Sequence, residues 1–510
     1  MRRRAWLYFL LFLLIPSVAL AQEETVGGGG FIARLNESFT WFVNEIIFKV
    51  LFFDARTGIP FIVLWLVMGA IIFTIQMQFI NIRAFKHAID VVRGKYDDPN
   101  ETGEVTHFQA LAAALSATVG LGNIAGVAIA ITVGGPGAAF WMTIGGLLGM
   151  TSKFVECTLG QKYRIIKPDG TISGGPMRYL SRGLAERGMA GFGKVLAVLF
   201  SILCIGGTFG GATMFQANQS YGAVAGVIPG IPSWLYGLVL MVLVGLVIIG
   251  GIERIGIVAG TIVPAMCLIY VIASVWILLA NFTQIPTALG AIIGGAFNPQ
   301  AVAGGFIGVV VQGFRRSAFS NEAGIGSAAI AHSAARTEEP VREGIVALLE
   351  PFIDTVVVCN MTALVIVITG VYNNPQFEGL SGAELTSQAF GTVIGWFPTL
   401  LALSVFLFAF STMISWGYYG ERSWEYLFGD RTVIIYKVLL LMAVFTGAVV
   451  NAGPVIDFSD AMLLGMAFPN LLGAYFLSGS VLADLNDYMH RLRSGAMLSY
   501  AEEKSMSESV

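Results

Sequence analysis

Eleven apolar segments dominate the chain, at residues 59–80, 109–133, 138–160, 194–217, 234–251, 256–280, 301–330, 345–370, 397–418, 432–450 and 457–480. Most exceed the roughly 20 residues with which an α-helix crosses a bilayer. The pattern predicts an all-α polytopic membrane protein. One extra N-terminal span comes first, followed by ten that are numbered here spans one to ten, giving 11 transmembrane helices over residues 58–485. A polar cytoplasmic tail follows at 486–510. At the other end, Arg2-Arg3-Arg4 precede a short apolar run from Leu7 to Leu14, and Ala19-Leu20-Ala21 supplies a small-x-small cleavage site before Gln22. That run is too short to span, so residues 1–21 read as a signal peptide. Residues 22–57, with Gly27–Gly30 and an amphipathic stretch around Phe39–Phe53, then lie at the outer surface.

The positive charges test this layout. Of 29 Lys and Arg residues, three fall in the signal peptide, and Arg34, Lys49 and Arg56 in the outer segment. The five outer loops (134–137, 218–233, 281–300, 371–396 and 451–456) contain none, and the remaining 23 lie on the inner side or in the inner halves of spans. Such asymmetry puts the N-terminus out and the C-terminus in. Cations in the long inner loops 81–107 and 161–193 serve orientation and headgroup contact. Composition agrees: of 510 residues 56% are hydrophobic and 12% charged, about half the charge of a soluble domain. A soluble enzyme is excluded, and membrane lipid is the surrounding partner. A net charge of −3 argues against a nucleic-acid partner, which would require a basic patch. Cys157, Cys204, Cys267 and Cys359 lie in apolar stretches as small buried hydrophobes. The four histidines are scattered and form no metal motif.

A helix interrupted near midplane is the best sequence pointer to a transport site. In span one, Ser116-Ala-Thr118-Val-Gly120-Leu-Gly122-Asn123 interrupts an apolar run halfway across. Its glycines weaken the helix, and its hydroxyls and amide add local ligands. Gly120-x-Gly122-x-x-Ala125 also fits a dinucleotide fingerprint, but no strand precedes it. In span six, Gln312-Gly313-Phe314 follows some eleven apolar or small residues, with Ser320-Asn321-Glu322 further on. Two breaks about 195 residues apart, each in the first span of a five-span unit, predict a 5+5 inverted repeat. Span eight adds Phe408-Ala-Phe-Ser411-Thr412-Met-Ile-Ser415-Trp416, whose adjacent hydroxyls suit a hard monovalent cation.

These motifs resemble those of the alanine-or-glycine:cation symporter family, which shares the leucine-transporter fold. The resemblance rests on Ala117-Thr118-Val-Gly-Leu-Gly-Asn-Ile-Ala-Gly126, Gly134-Gly-Pro-Gly-Ala-Ala-Phe-Trp141 and Ser173-Gly-Gly-Pro-Met-Arg178. Phe319-Ser-Asn-Glu-Ala-Gly-Ile-Gly-Ser327 and Ser415-Trp416-Gly-Tyr-Tyr-Gly420 extend it across most core spans. It implies a sodium ion held by the carbonyls of Ser116, Val119 and Phe408 and the hydroxyls of Ser411 and Thr412. Thr118 and Gly120 would hold the substrate carboxylate, and Gln312 and Gly313 would meet the ammonium or its neighbours. Phe215, Asn218, Phe314 and Trp416 would leave room only for hydrogen or methyl. The wider fold often has a second sodium site on spans one, six and seven. Val309 stands here where span six should offer a hydroxyl, which implies one sodium per substrate. Arg315 and Arg316 are expected to line an inward vestibule facing Glu322 or Asp354.

The function so implied is a sodium-coupled symporter of the inner membrane, importing alanine, glycine or both by alternating access. The rivals are proton coupling through Glu322 or Asp354 and, from another class, a channel. A membrane enzyme lacks any nucleophile–base pair or metal cluster in the sequence. A reporter fused after residue 505 should lie in the cytoplasm, and the mature chain should begin near Gln22. Retention of Arg2–Arg4 in the purified protein would overturn the leader reading.

Overall fold

The computed structural model describes residues 31–43, 53, 59–168, 170–249, 252–297, 305–502 and 505. The expected signal peptide lies outside them, and of the outer segment 22–57 the described part is chiefly a helix at Phe31–Phe42. Every apolar segment is mainly helical where it is described. By length and composition, five helices suffice to cross a membrane, or seven when two bent pairs each count as one span. Phe61–Gln76 and Ser233–Ile248 are shorter apolar helices. The surface carries apolar side chains such as Ile75, Trp276 and Leu279, all more than 60% exposed. Lys153, Glu156, Glu343, Glu350, Asp354 and Asp460 are instead fully buried. Ionisable groups inside and hydrocarbon outside mark an integral membrane protein.

The helices that build the site can be followed from their local signals. Helix α1 (Phe61–Gln76) falls in the apolar segment at 59–80. Helix α2 (His107–Thr118) starts at a capping box in which Thr106 and Gln109 exchange bonds, a signal that fixes helix starts. It stops at Val119, where ψ swings to 92°. A π-helical turn at Gly122–Gly126 leads into α3 (Val127–Gly134), and the two halves meet at 54°. This break lies where the glycines of span one predict it. Helix α4 (Gly137–Lys162) follows, then α5 (Ala190–Phe209), a π turn at Gly210–Met214 and α6 (Phe215–Ala225).

The second break corrects the sequence expectation. Helix α7 (Gly305–Asn321) runs without interruption through Gln312, Gly313 and Phe314. The chain opens instead at Glu322–Ser327 before α8 (Ala328–His332). Glu322 holds φ +60°, and Gly324 and Gly326 hold φ +90° and +85°. A side chain at Gly326 would meet Pro176 and Asn470 within 3 Å, so glycine is required there on both counts. A non-glycine residue at positive φ costs of order 1–3 kcal/mol and concentrates at functional sites. The tail of the chain supplies α9 (Pro340–Ala347), a π turn at Phe352–Cys359, α10 (Phe397–Phe428), α11 (Ala452–Gly465) and α12 (Ala467–Ser494).

Long polar side chains hold the open segment in place. Asn470 on α12 donates to the Gly324 carbonyl at 2.8 Å and to Glu156 Oε1 at 2.6 Å, and accepts from the Tyr179 hydroxyl. In the loop 161–193, Arg164 donates to the carbonyls of Thr102, Ser333, Ala335 and Thr337, so this loop cation clamps backbone. Replacing Asn470 by Leu would leave a buried carboxylate, a carbonyl and a phenol without partners. An unsatisfied buried group costs about 1–3 kcal/mol, more when charged. The variant should therefore melt measurably lower in detergent; an unchanged melting temperature would show that Asn470 does not anchor the break.

Candidate substrate and cation site

The two breaks meet the π turn at Gly210–Met214, α6, α10 and α11 around a small cavity of about 10 Å3, lined by Thr118, Gly122, Gln216, Glu322, Thr412 and Trp416 among others. That volume holds about one water molecule, so a larger guest requires the walls to part. Gly120 brings backbone close to α10: a Cβ there would sit 2.5 Å from Thr412 Oγ1. That hydroxyl is buried and has no hydrogen-bond partner. A hydroxyl left orphaned in a protein interior calls for a ligand. The Gly120 N–H donates to Asn123 Oδ1 at 2.9 Å, and the Leu121 N–H to Gln216 Oε1 at 3.2 Å. The Thr118 side chain turns away: its hydroxyl donates to the Glu350 carboxylate and lies 2.8 Å from the Ala114 carbonyl oxygen. The Trp416 indole N–H donates to Glu322 Oε1 at 2.7 Å, and Ser327 donates to the other carboxylate oxygen.

One turn along α10 lies an oxygen-rich patch. Ser116 Oγ is 2.9 Å from Ser411 Oγ and 2.8 Å from Ser415 Oγ, and Ser411 donates to the Ser116 carbonyl at 3.3 Å. Val119 lies at the bend, and Phe408 one turn before Thr412. Four expected cation residues, Ser116, Val119, Ser411 and Thr412, are thus drawn to the same bend, with Ser415 as an addition. These are hard oxygen donors, the class that alkali cations take.

Other expected residues lie elsewhere. Gln312, Gly313 and Phe314 belong to the unbroken part of α7. Gln312 packs near Gly134, Gly313 lies against Trp141 and Ala138, and the Phe314 ring is 6.0 Å from that of Trp141. Their polar-and-glycine signal reflects close helix contact. Asn218 donates to the carbonyls of Gly447 and Val450, away from the cavity. Gln216, two residues earlier and about 200° around the helix, faces it instead. Phe215 backs the wall, its ring centroid 4.9 Å from that of Phe319. Arg315 and Arg316 do not face Glu322 or Asp354: both pair with Asp460 on α11, and Arg315 also lies 3.9 Å from Asp457.

Sequence reasoning gave too little weight to Gln216, Glu322 and a second polar cluster. Asn123 Nδ2 lies 2.5 Å from Asp354 Oδ1, and Ser320 and Thr355 donate to Asp354 Oδ2 at 2.9 and 2.7 Å. Spans one, six and seven therefore do converge on hydroxyl and amide groups. Ser320, at the end of α7 beside the second break, supplies the hydroxyl from span six. The motif around Phe319–Ser327 carried that information.

Comparison with known proteins follows the same lines. The profile described as the sodium:alanine symporter family matches residues 43–502. The sodium/alanine symporter AgcS of Methanococcus maripaludis is 38% identical over 426 residues, covering 83% of this chain and 93% of that protein. The probable sodium/glutamine symporter GlnT of Bacillus subtilis is 36% identical over 437 residues, covering 85% and 88%. Among solved structures, MhsT in complex with L-phenylalanine matches 75% of this chain and 100% of that one, with 13% identity and a TM-score of 0.48. The family and the two symporter relatives are amino-acid transporters and not enzymes. On the match across nearly its whole length, the chain belongs to the sodium:alanine symporter family.

Proposed function

We propose that this amino-acid symporter imports alanine or glycine across the inner membrane, driven by sodium, through a 5+5 inverted repeat preceded by one extra helix. The observation that carries the coupling is the buried, unpartnered Thr412 hydroxyl beside the bend at Gly120 and the Ser116–Ser411–Ser415 cluster. Sodium bound there would take the carbonyls of Ser116, Val119 and Phe408 with the hydroxyls of Ser411 and Thr412. It would join the two halves of span one to α10. Thr118 and Gly120 border the same bend, so ordering it prepares the carboxylate site. Glu322, held by Trp416 and Ser327, is a better partner for the ammonium than Gln312 or Gly313, since it lines the cavity and they do not. Trp416 and Phe319 restrict the side-chain volume. GlnT is named for a larger substrate, which makes the width of this wall the feature that sets specificity.

Asp354 supports a second reading. Its carboxylate is held by the neutral groups of Asn123, Ser320 and Thr355. A carboxylate buried among neutral donors gains from a cation or a proton. A second sodium there would steepen the sodium dependence of uptake, whereas proton coupling would sustain sodium-free uptake driven by pH. The discriminating experiment is labelled-alanine uptake into proteoliposomes under separate sodium and pH gradients.

Two substitutions test the primary site. Thr412→Ala removes a ligand that backbone cannot replace, and Thr412→Ser retains it. Alanine binding by the Ala variant should require roughly 5–150-fold more sodium, the range of coupling between linked sites. Superimposable sodium titrations for parent, Ser and Ala forms would remove Thr412 from the site. Trp416→Leu should admit serine-, valine- or leucine-sized substrates and weaken alanine binding by about 1–3 kcal/mol, the worth of a methylene-sized mismatch. An unchanged substrate range in a normally folded variant would show that Trp416 does not line the pocket.

A further inference from the structure

Below the cavity, a chain of titratable side chains runs to the face that the cation count assigns to the cytoplasm. Thr118 and Lys153 both donate to Glu350 Oε1, the lysine at 2.9 Å. Glu350 Oε2 faces His332 Nε2 across 3.7 Å. His332 Nδ1 lies 2.5 Å from Glu343 Oε1, and His107 Nδ1 bonds the other oxygen of the same carboxylate. His107 Nε2 in turn faces Asp97 Oδ1 across 3.9 Å, and Asp97 is 28% exposed.

The two long links are the informative ones. Asp97 Oδ1, His107 Nε2, His332 Nε2 and Glu350 Oε2 are all buried atoms without a hydrogen-bond partner, and they face each other pairwise. A purely structural network fills its buried donors and acceptors. Here both rings use Nδ1 on one shared carboxylate and present Nε2 to a second carboxylate. With the ring proton on Nδ1, a lone pair points at a carboxylate oxygen. One added proton on Nε2 turns that opposition into a charge-assisted N–H to oxygen bond, which is about twice as strong as a neutral one. Among the described residues no three His, Cys, Asp or Glu groups are arranged to hold a metal.

The location gives such a proton a mechanical consequence. Helix α2 is tied to the segment 340–350 at both ends, by His107 to Glu343 and by Thr118 to Glu350. We propose that the gap between His332 and Glu350 is a proton-binding site filled from the cytoplasmic solution, and that the bound proton holds α8 against the segment 340–350, fixing the Glu343 and Glu350 carboxylates that in turn hold α2. The proton adds to Nε2 and breaks no other bond; the ring becomes imidazolium, and the proton returns to the same solution when the inner half of span one opens.

Neighbouring charges are accounted for on each packed element. Helix α4 contributes Lys153, Glu156 and Cys157, with Glu156 bonded to Asn470. Glu322 faces Lys153 from the second break. Arg342 is paired with Glu101 and Arg491 with Glu339, while Arg164 is engaged by backbone carbonyls and Arg336 faces Asp97. His87 is separate: burial, opposed by Asp90 and aided by Arg342 and Lys95, holds it down to about 4. It stays neutral in the range where ordinary histidines titrate.

The test is amide hydrogen exchange over residues 107–118 of the full chain in detergent, at pH about 6 and about 9, corrected for intrinsic exchange rates. A site that latches when protonated protects α2 at the lower pH and releases it at the higher. Protection should be roughly tenfold greater at the acid end, the change expected from one unit of proton linkage. His332→Gln should abolish the difference. A merely structural role for His332 predicts equal loss of protection at both pH values with the parent's ratio retained, and that result overturns the proposal. If His332→Gln fails to fold, the parent decides alone: equal protection at both pH values is equally fatal. Exchange needs neither alanine nor sodium, so this outcome is independent of the transport reading.

Discussion

Opening a helix inside hydrocarbon exposes backbone N–H and C=O groups that lipid cannot satisfy. Much of the buried polar chemistry of this protein answers that constraint at two places. At the first break Asn123 and Gln216 accept from the N–H groups of Gly120 and Leu121. At the second, Asn321 accepts from the Ala323 N–H and Asn470 donates to the Gly324 carbonyl. Each of these side chains is supported in turn: Asn123 by Asp354, Gln216 by the Gly211 carbonyl, Asn321 by Ser317 and Thr355, and Asn470 by Glu156 and Tyr179. The polar core is a consequence of the broken backbone, and the cavity is what remains at its centre.

The ion pair of Lys153 with Glu350 extends the same logic to full charges. Both side chains are completely buried, and removing one partner of such a pair typically costs 3–5 kcal/mol because the other is left uncompensated. The pair is weak evidence for stability in itself, since its desolvation offsets most of its attraction. Its value lies in position. Glu350 gives one oxygen to Lys153 on α4 and to Thr118 on the first broken span, and turns the other toward His332 on the second. A single carboxylate thus touches both interrupted spans and the helix between them in sequence.

How much of this was legible in the sequence depended on whether a signal arose from local conformation or from packing. The first break was readable because two glycines, flanked by hydroxyls and an amide, weaken a helix wherever it is placed. Span six carried two competing signals, Gln312-Gly313 and Asn321–Gly326. Only the second contains the pair of glycines that positive φ demands. The first reflects contact with Trp141 and Gly134, which a single sequence does not reveal. The exchange of Asn218 for Gln216 has a similar origin. No motif sets the rotation of α6, and two residues turn a side chain to nearly the opposite face. With the opening further along the chain, the hydroxyl that span six brings beside Asn123 and Asp354 is that of Ser320. The charged cluster under the cavity was illegible for another reason. Its members, from His107 to Glu350, are spread across more than 240 residues, and none sits in a motif.

Thr118 joins these layers. Its backbone belongs to the first break and its residue lines the cavity, yet its hydroxyl is committed to Glu350. A substrate or cation that reorders the bend at Val119–Gly120 must therefore pull on the Glu350 network or be resisted by it. Coupling of this kind is reciprocal: whatever strengthens the Thr118–Glu350 contact raises or lowers ligand affinity by the same factor with which the ligand alters that contact. The small cavity, with space for about one water, fits a molecule whose ligand sites and tether share one residue. Neither the bend nor the tether can change state alone.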